Sequence, residues 1–133
     1  MKIIVIDKSG ELYVMPDTVL LRNGDPYYTP NFATTEGEDI VEGITIKVTR
    51  LVKSIAERFA HRAWGEWCVS RDHRLCGVHH TIGRCFDRSF EVDPLWHTKE
   101  ELSKEDCQMI DKQIALVSEF IQLRIGDYVF IEK

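Results

Sequence analysis

Seven side chains able to ligate a soft or borderline metal ion fall between His61 and Cys85: His61, Cys68, His73, Cys76, His79, His80 and Cys85. His73, Cys76 and His79 are spaced three apart, so one helical turn or a tight loop would bring them together, with Cys85 as a fourth ligand. Cys and His suit Zn²⁺, and the cluster would then stabilise an interaction module. The paired Cys-x-x-Cys knuckles of structural zinc sites are absent, however. The simpler reading makes the cysteines small buried hydrophobes and the histidines surface or hydrogen-bonded residues. A thiol–imidazole pair, Cys76 with His79 or His80, would be the nucleophilic alternative, but it lacks a nucleophile-elbow context.

Arg71, Arg74, Arg84 and Arg88 make the same stretch locally basic. Forked guanidinium contacts could hold a small anionic metabolite, though Glu66, Asp72, Asp87 and Glu91 alternate with them and offer salt bridges. Trp64, Trp67 and Trp96 could floor a ligand pocket; large aromatics in a small domain more often sit in the core or a dimer interface.

The elements that must position these residues read as α+β, predominantly β. Lys2–Ile6 and Leu12–Met15 form a hairpin, Thr18–Leu21 is a further β run, and Asn23-Gly24-Asp25-Pro26 is a turn cluster. Ile44, Ile46 and Val48 alternate with Thr45, Lys47 and Thr49, the pattern of a half-buried strand. Leu51, Val52, Ile55, Phe59 and Ala63 follow a helical period, with Ser54 and Glu57 as a capping box. Gly65–Asp87 shows no period and reads as containing loop. Ser103 caps a second helix with Ile110, Ile114, Val117 and Ile121 as its stripe, Gly126 stops it, and Tyr128–Ile131 is a closing strand.

The chain has 133 residues, 22 acidic against 17 basic, and a net charge of −5. One domain spanning 1–133 is expected from that length. The acidic balance argues against nucleic acid as a partner, and no apolar run approaches the roughly 18 residues of a membrane span. The apolar run after Met1-Lys2 is too short for a signal-peptide core, so a cytoplasmic protein with reduced thiols is expected.

Five segments, in order, resemble bacterial members of the fumarylacetoacetate hydrolase family. Met15–Pro26 is similar to that family's "KPDTALLRNNDP", Lys53–Arg62 to "KNIAERFAHR", and Ser70-Arg71-Asp72 to "ARD". Cys85–Ser89 is similar to "AFDGS", and Val117–Phe130 to "VSKFFTLKIGDLIF". The resemblance implies a mixed β-roll, a homodimer, and Mg or Mn binding a diketo- or oxo-acid for hydrolysis, isomerisation or decarboxylation. It also implies where the metal's carboxylates belong. The Glu-x-Glu pair falls on Val41 and Gly43, the third ligand on Trp67, and the lysine before "AFD" on Arg84. The short Asp7–Glu11 turn replaces the substrate loop, and a hairpin and the terminal "TGTP" are missing. The expectation is a shortened member that has lost metal-dependent catalysis, needs no cofactor and keeps a binding or interaction role. The alternative is an active enzyme with a relocated site built from Glu36, Glu38 and Asp72.

Overall fold

The computed structural model describes residues 1–22 and 24–133; Asn23, the first residue of the expected turn cluster, lies outside the described residues. Strand β1 (Lys2–Ile6) and β2 (Leu12–Pro16) form the expected antiparallel hairpin, with Ile4 opposite Val14. Its turn is tied by Asp7, whose Oδ1 accepts from the backbone N–H groups of Ser9 and Glu11 at 3.0 and 2.9 Å. β3 (Leu20–Leu21), β4 (Glu38–Val48), β5 (Trp64–Leu75), β6 (Phe90–Val92), β7 (His97–Thr98) and β8 (Tyr128–Glu132) complete a mixed sheet. Its order is β2-β1-β8-β4-β5-β6-β3, with β7 pairing to β5 off that path. The β1–β8 and β3–β6 pairs are parallel and the others antiparallel.

The two edge strands of this sheet, β2 and β3, are separated in sequence only by the 3-10 turn Asp17–Val19. One short segment therefore supplies both edges, and the sheet must curl until they meet. This also explains why Thr18–Leu21 is not one strand: most of the run is spent in the corner, and only Leu20 and Leu21 pair, with β6.

Curling divides the apolar residues into two cores. On the outer side, helix α2 (Lys104–Phe120) lays Ile110, Ile114 and Val117 against Ile4, Ile44, Ile46, Val48 and Ile131. Ser103 caps α2, its Oγ accepting from the Asp106 N–H at 3.1 Å, as the spacing suggests. Inside the roll pack Ile3, Val5, Met15, Val19, Leu20, Phe90 and Phe130. Both faces of β4 are thereby covered, so Thr45 is as buried as Ile44 and Ile46, where alternation had suggested a solvated face.

Two expected elements differ. Residues 51–56 are not helical: Val52 and Leu123 exchange backbone hydrogen bonds of 2.9 Å, the Ser54 N–H donates to the Ser118 carbonyl, and Ser54 has a φ of +51°. Tertiary hydrogen bonds outbid the helical period there, and only Glu57–Ala63 winds, as a 3-10 helix. Conversely, the stretch read as loop contains β5, 12 residues long, and the short helix α1 (His80–Arg84). The alternation in β5 was invisible because its inward residues Cys68, Ser70 and Asp72 are small or polar rather than apolar. Among the described residues, no helix is long and apolar enough to cross a membrane.

Asp127 anchors the starts of β1 and β8. Its carboxylate accepts from the backbone N–H groups of Lys2 at 3.0 Å and Arg124 at 2.9 Å, and pairs with the Lys2 ammonium. Burial pushes this carboxyl up, but the hydrogen bonds from Lys2 and Arg124 outweigh it and hold the group below the usual range. Its folded value lies under its unfolded one, so its stabilisation is present above the unfolded value of about 3.9 and disappears as pH falls through the lowered value. Urea midpoints measured against pH should therefore fall less steeply below about pH 4 in Asp127→Asn than in wild type. An identical acid limb in the variant would contradict this role.

Candidate functional site

Where the resemblance expects two metal carboxylates, the roll interior has none. Val41 and Gly43 lie on the inward face of β4. A Cβ at Gly43 would stand 2.2 Å from the Ile131 carbonyl oxygen and 2.8 Å from two ring carbons of Phe130. The Phe130 ring in turn meets Phe90 edge-on at 5.3 Å between centroids. The space a side-chain stem at residue 43 would need is thus taken by the Ile131 carbonyl and the Phe130 ring, and Val41 packs against the same cluster.

Trp67 is not part of this surface. It pairs with Ile46, packs on the helix side of the sheet, donates from Nε1 to the Thr98 carbonyl at 2.9 Å and stacks on His97 at 4.6 Å. The inward residue at that level of β5 is Cys68, opposite Thr45 and fully buried, with its thiol pushed up to about 11 by burial. A gap-free count along the chain thus places Trp67 beside Val41 and Gly43, and the strand register separates them.

The polar chemistry of the interior gathers at one end of the roll. Asp72 is 1% exposed, and its Oδ2 accepts from Arg74 Nε at 3.0 Å. Desolvation raises the Asp72 carboxyl's pKa against the opposing pull of Arg74, Arg84 and His73. Arg84, on α1, holds its guanidinium 4.1 Å above the Tyr13 ring of β2. Helix α1 can sit this close to β5 because Gly83 lies there: a Cβ on it would stand 2.6 Å from the Leu75 carbonyl oxygen. Of the four arginines, Arg71 pairs with Glu42 at 3.5 Å, Arg74 with Asp72, and Arg88 with Asp25 at 3.2 Å. Arg84 forms no salt bridge among the described residues.

The relocated carboxylate set does not assemble. Asp72 and His73 are neighbours on a strand and face opposite sides of the sheet. Glu38 belongs to the His73 side: its carboxylate lies 3.5 Å from His73 Nδ1 and accepts from the Tyr27 and Thr29 hydroxyls at 3.3 and 3.2 Å. Glu36 is on the exposed turn before β4. The Cys/His set is equally dispersed in its duties. His73 Nε2 is 2.6 Å from Glu91 and its ring stacks under Tyr27 at 3.6 Å, while the Cys76 thiol faces Asp39. His79 Nδ1 accepts from the Thr81 N–H and caps α1, and Cys85 packs into the roll interior. Burial raises the Cys76 and Cys85 thiols, which disfavours a ligating or nucleophilic thiolate. Among the described residues, no three His, Cys, Asp or Glu side chains converge as a metal would require. The Glu38–His73–Glu91 network under Tyr27 had no sequence signal, because it joins four segments whose register only the folded sheet defines.

A hard divalent cation takes several oxygen ligands, mostly carboxylate. Among the described residues the roll interior offers one buried carboxylate, Asp72, already committed to Arg74 and facing an arginine where a lysine was expected. These residues do not fit Mg²⁺ or Mn²⁺.

No protein-family model and no curated protein sequence matches the chain. Solved structures do match. A fumarylacetoacetate hydrolase family protein from Yersinia pestis CO92 superposes with a TM-score of 0.79 at 18% identity, over 97% of this chain and 77% of that one. The 2-hydroxyhepta-2,4-diene-1,7-dioate isomerase of Mycobacterium marinum gives 0.81 at 13%, over 98% of this chain and 62% of that one. Fumarylpyruvate hydrolase of Pseudomonas aeruginosa, solved with Mn²⁺ and pyruvate, gives 0.78 at 14%, over 98% and 76%.

The packing at Gly43 has a direct consequence. Gly43→Ala should destabilise the protein by about 1–3 kcal/mol in urea denaturation, the range for overpacking a filled core. Because the nearer clash is with the Ile131 carbonyl oxygen, Phe130→Leu should relieve only part of this cost, and a neutral Gly43→Ala would show the interior to be loose. At these low identities the match concerns architecture, and on that ground the chain has the fold of the fumarylacetoacetate hydrolase family.

Proposed function

We propose that this chain uses a fumarylacetoacetate hydrolase-type roll for binding, having given up metal-dependent catalysis. The observation that supports this most is the Phe130 ring lying in the space that a side chain at position 43 would need. Lewis-acid polarisation of an oxo-acid requires a cation held beside the substrate carbonyl, and Val41, Gly43 and Arg84 supply no oxygen to hold one. What replaces it is a guanidinium-rich roll mouth, suited to a small anionic metabolite. A cytoplasmic homodimer completes the proposal. Phe120 and Ile125, 73% and 74% exposed, provide apolar surface that association could cover.

Two measurements test it. Purified protein assayed with acylpyruvates and oxaloacetate in saturating Mn²⁺ or Mg²⁺ should show no turnover above the protein-free rate; turnover abolished by EDTA would overturn the reading. Light scattering after size exclusion should give about twice the 15.5 kDa chain mass, and a monomer at all concentrations would remove the dimer from it.

A further inference from the structure

The cations of this chain are unevenly placed. Its net charge is −5, yet residues 49–63 carry Arg50, Lys53, Arg58 and Arg62 against a single acid, Glu57. All four basic side chains are exposed, and among the described residues none of them forms a salt bridge. Elsewhere carboxylates meet the arginines, Glu42 at Arg71, Asp72 at Arg74 and Asp25 at Arg88. Like charges gathered on one short segment repel one another, and an anionic partner would remove that cost.

Backbone pairing gathers this segment into one surface. It leaves β4 at Val48 and enters β5 at Trp64, and a 2.8 Å bond from the Thr49 N–H to the Ala63 carbonyl brings its two ends, with Arg50 and Arg62, together. The Val52–Leu123 bridge is antiparallel, so Leu51 lies opposite Arg124, a further exposed cation. The Phe59 ring holds Arg58 and Arg62 at once, each guanidinium carbon 4.9 Å from its centroid. Two apolar side chains stand in solvent among these cations, Leu51 60% and Phe59 38% exposed. Glu57 lines a groove along α2 with Lys112 and Glu119.

We propose that this end of the roll docks on an anionic lipid surface, its four cations meeting headgroup phosphates and Leu51 entering the acyl boundary. The inference goes beyond the binding role above and does not rest on it. The mixture of side chains selects the partner. Nucleic acid would satisfy the guanidiniums, but its phosphate backbone gives an exposed leucine nothing to bury against. A second copy related by a two-fold axis would set the surface against itself, cation on cation. A lipid interface supplies both phosphates and an apolar phase, the pairing that holds peripheral proteins by basic and apolar side chains together. The acidic excess of the chain lies outside this segment, so the field of an anionic layer turns this end toward it.

Co-sedimentation of the full chain with vesicles of phosphatidylcholine, alone or mixed with phosphatidylglycerol, tests the proposal. Binding should saturate on the mixed vesicles, weaken with added salt, and be at least about ten-fold poorer on the neutral ones. Each cation removed should cost about five-fold, so the double variant Arg58→Gln, Arg62→Gln should lose roughly 25-fold. The double variant Lys8→Gln, Lys133→Gln lowers the net charge equally at the other end of β1 and β8 and should bind as wild type. Leu51→Ser should bind several-fold more weakly with the same salt dependence. Absence of binding to the mixed vesicles, equal binding to neutral ones, or an equal loss in the Lys8 and Lys133 variant would overturn the proposal. Tighter binding to a single-stranded oligonucleotide than to vesicles at equal phosphate, unchanged in Leu51→Ser, would make nucleic acid the partner and overturn it too. The wild-type comparisons decide these outcomes even if the Arg58 and Arg62 variant does not fold.

Discussion

The packing of the Phe130 ring beside the bare α-carbon of Gly43 is the contact on which the rest of this structure depends. β8 and β4 can run side by side with a phenylalanine pointing inward only because residue 43 brings no side chain. The ring then fills the middle of the curl and meets Phe90 from β6, so strands on both sides of the roll share one aromatic contact. A sheet whose two edges are joined by a single corner has a fixed interior volume, and here that volume is spent on packing. In such a roll a carboxylate pair and an aromatic pair at the same place exclude one another by volume alone.

How much of this was legible in the sequence depended on whether a residue's environment is set by its neighbours in the chain. The β1–β2 hairpin, β8 and α2 were readable because their apolar periods match their burial and their ends carry turn or cap residues, as at Asp7 and Ser103. β5 was not readable, since its inward Cys68, Ser70 and Asp72 break the apolar alternation that marks a strand. The stretch from Leu51 to Ala56 misled in the opposite sense, its helical spacing overridden by backbone pairing to Leu123 and Ser118. In the candidate site, Val41 and Gly43 share the inward face of the unbroken β4, and Trp67 packs on the other side of the sheet, a difference that a count along the chain does not carry.

The site's electrostatics follow from the same volume constraint. With the middle of the roll filled by aromatic and aliphatic side chains, its remaining ionisable groups collect at the α1 end, where Asp72 is buried beside two arginines. Arg84 reaches that position through the close seat that Gly83 allows against β5, and its charge rests on the Tyr13 ring rather than on a carboxylate.

The most direct measurement of this central claim is a crystal structure of the protein grown in Mn²⁺, with anomalous scattering recorded to locate the ion. The prediction is a roll interior without an anomalous peak and with the Phe130 ring lying over Gly43. An anomalous peak inside the roll near Val41 and Gly43, with Phe130 swung away from β4, would contradict it.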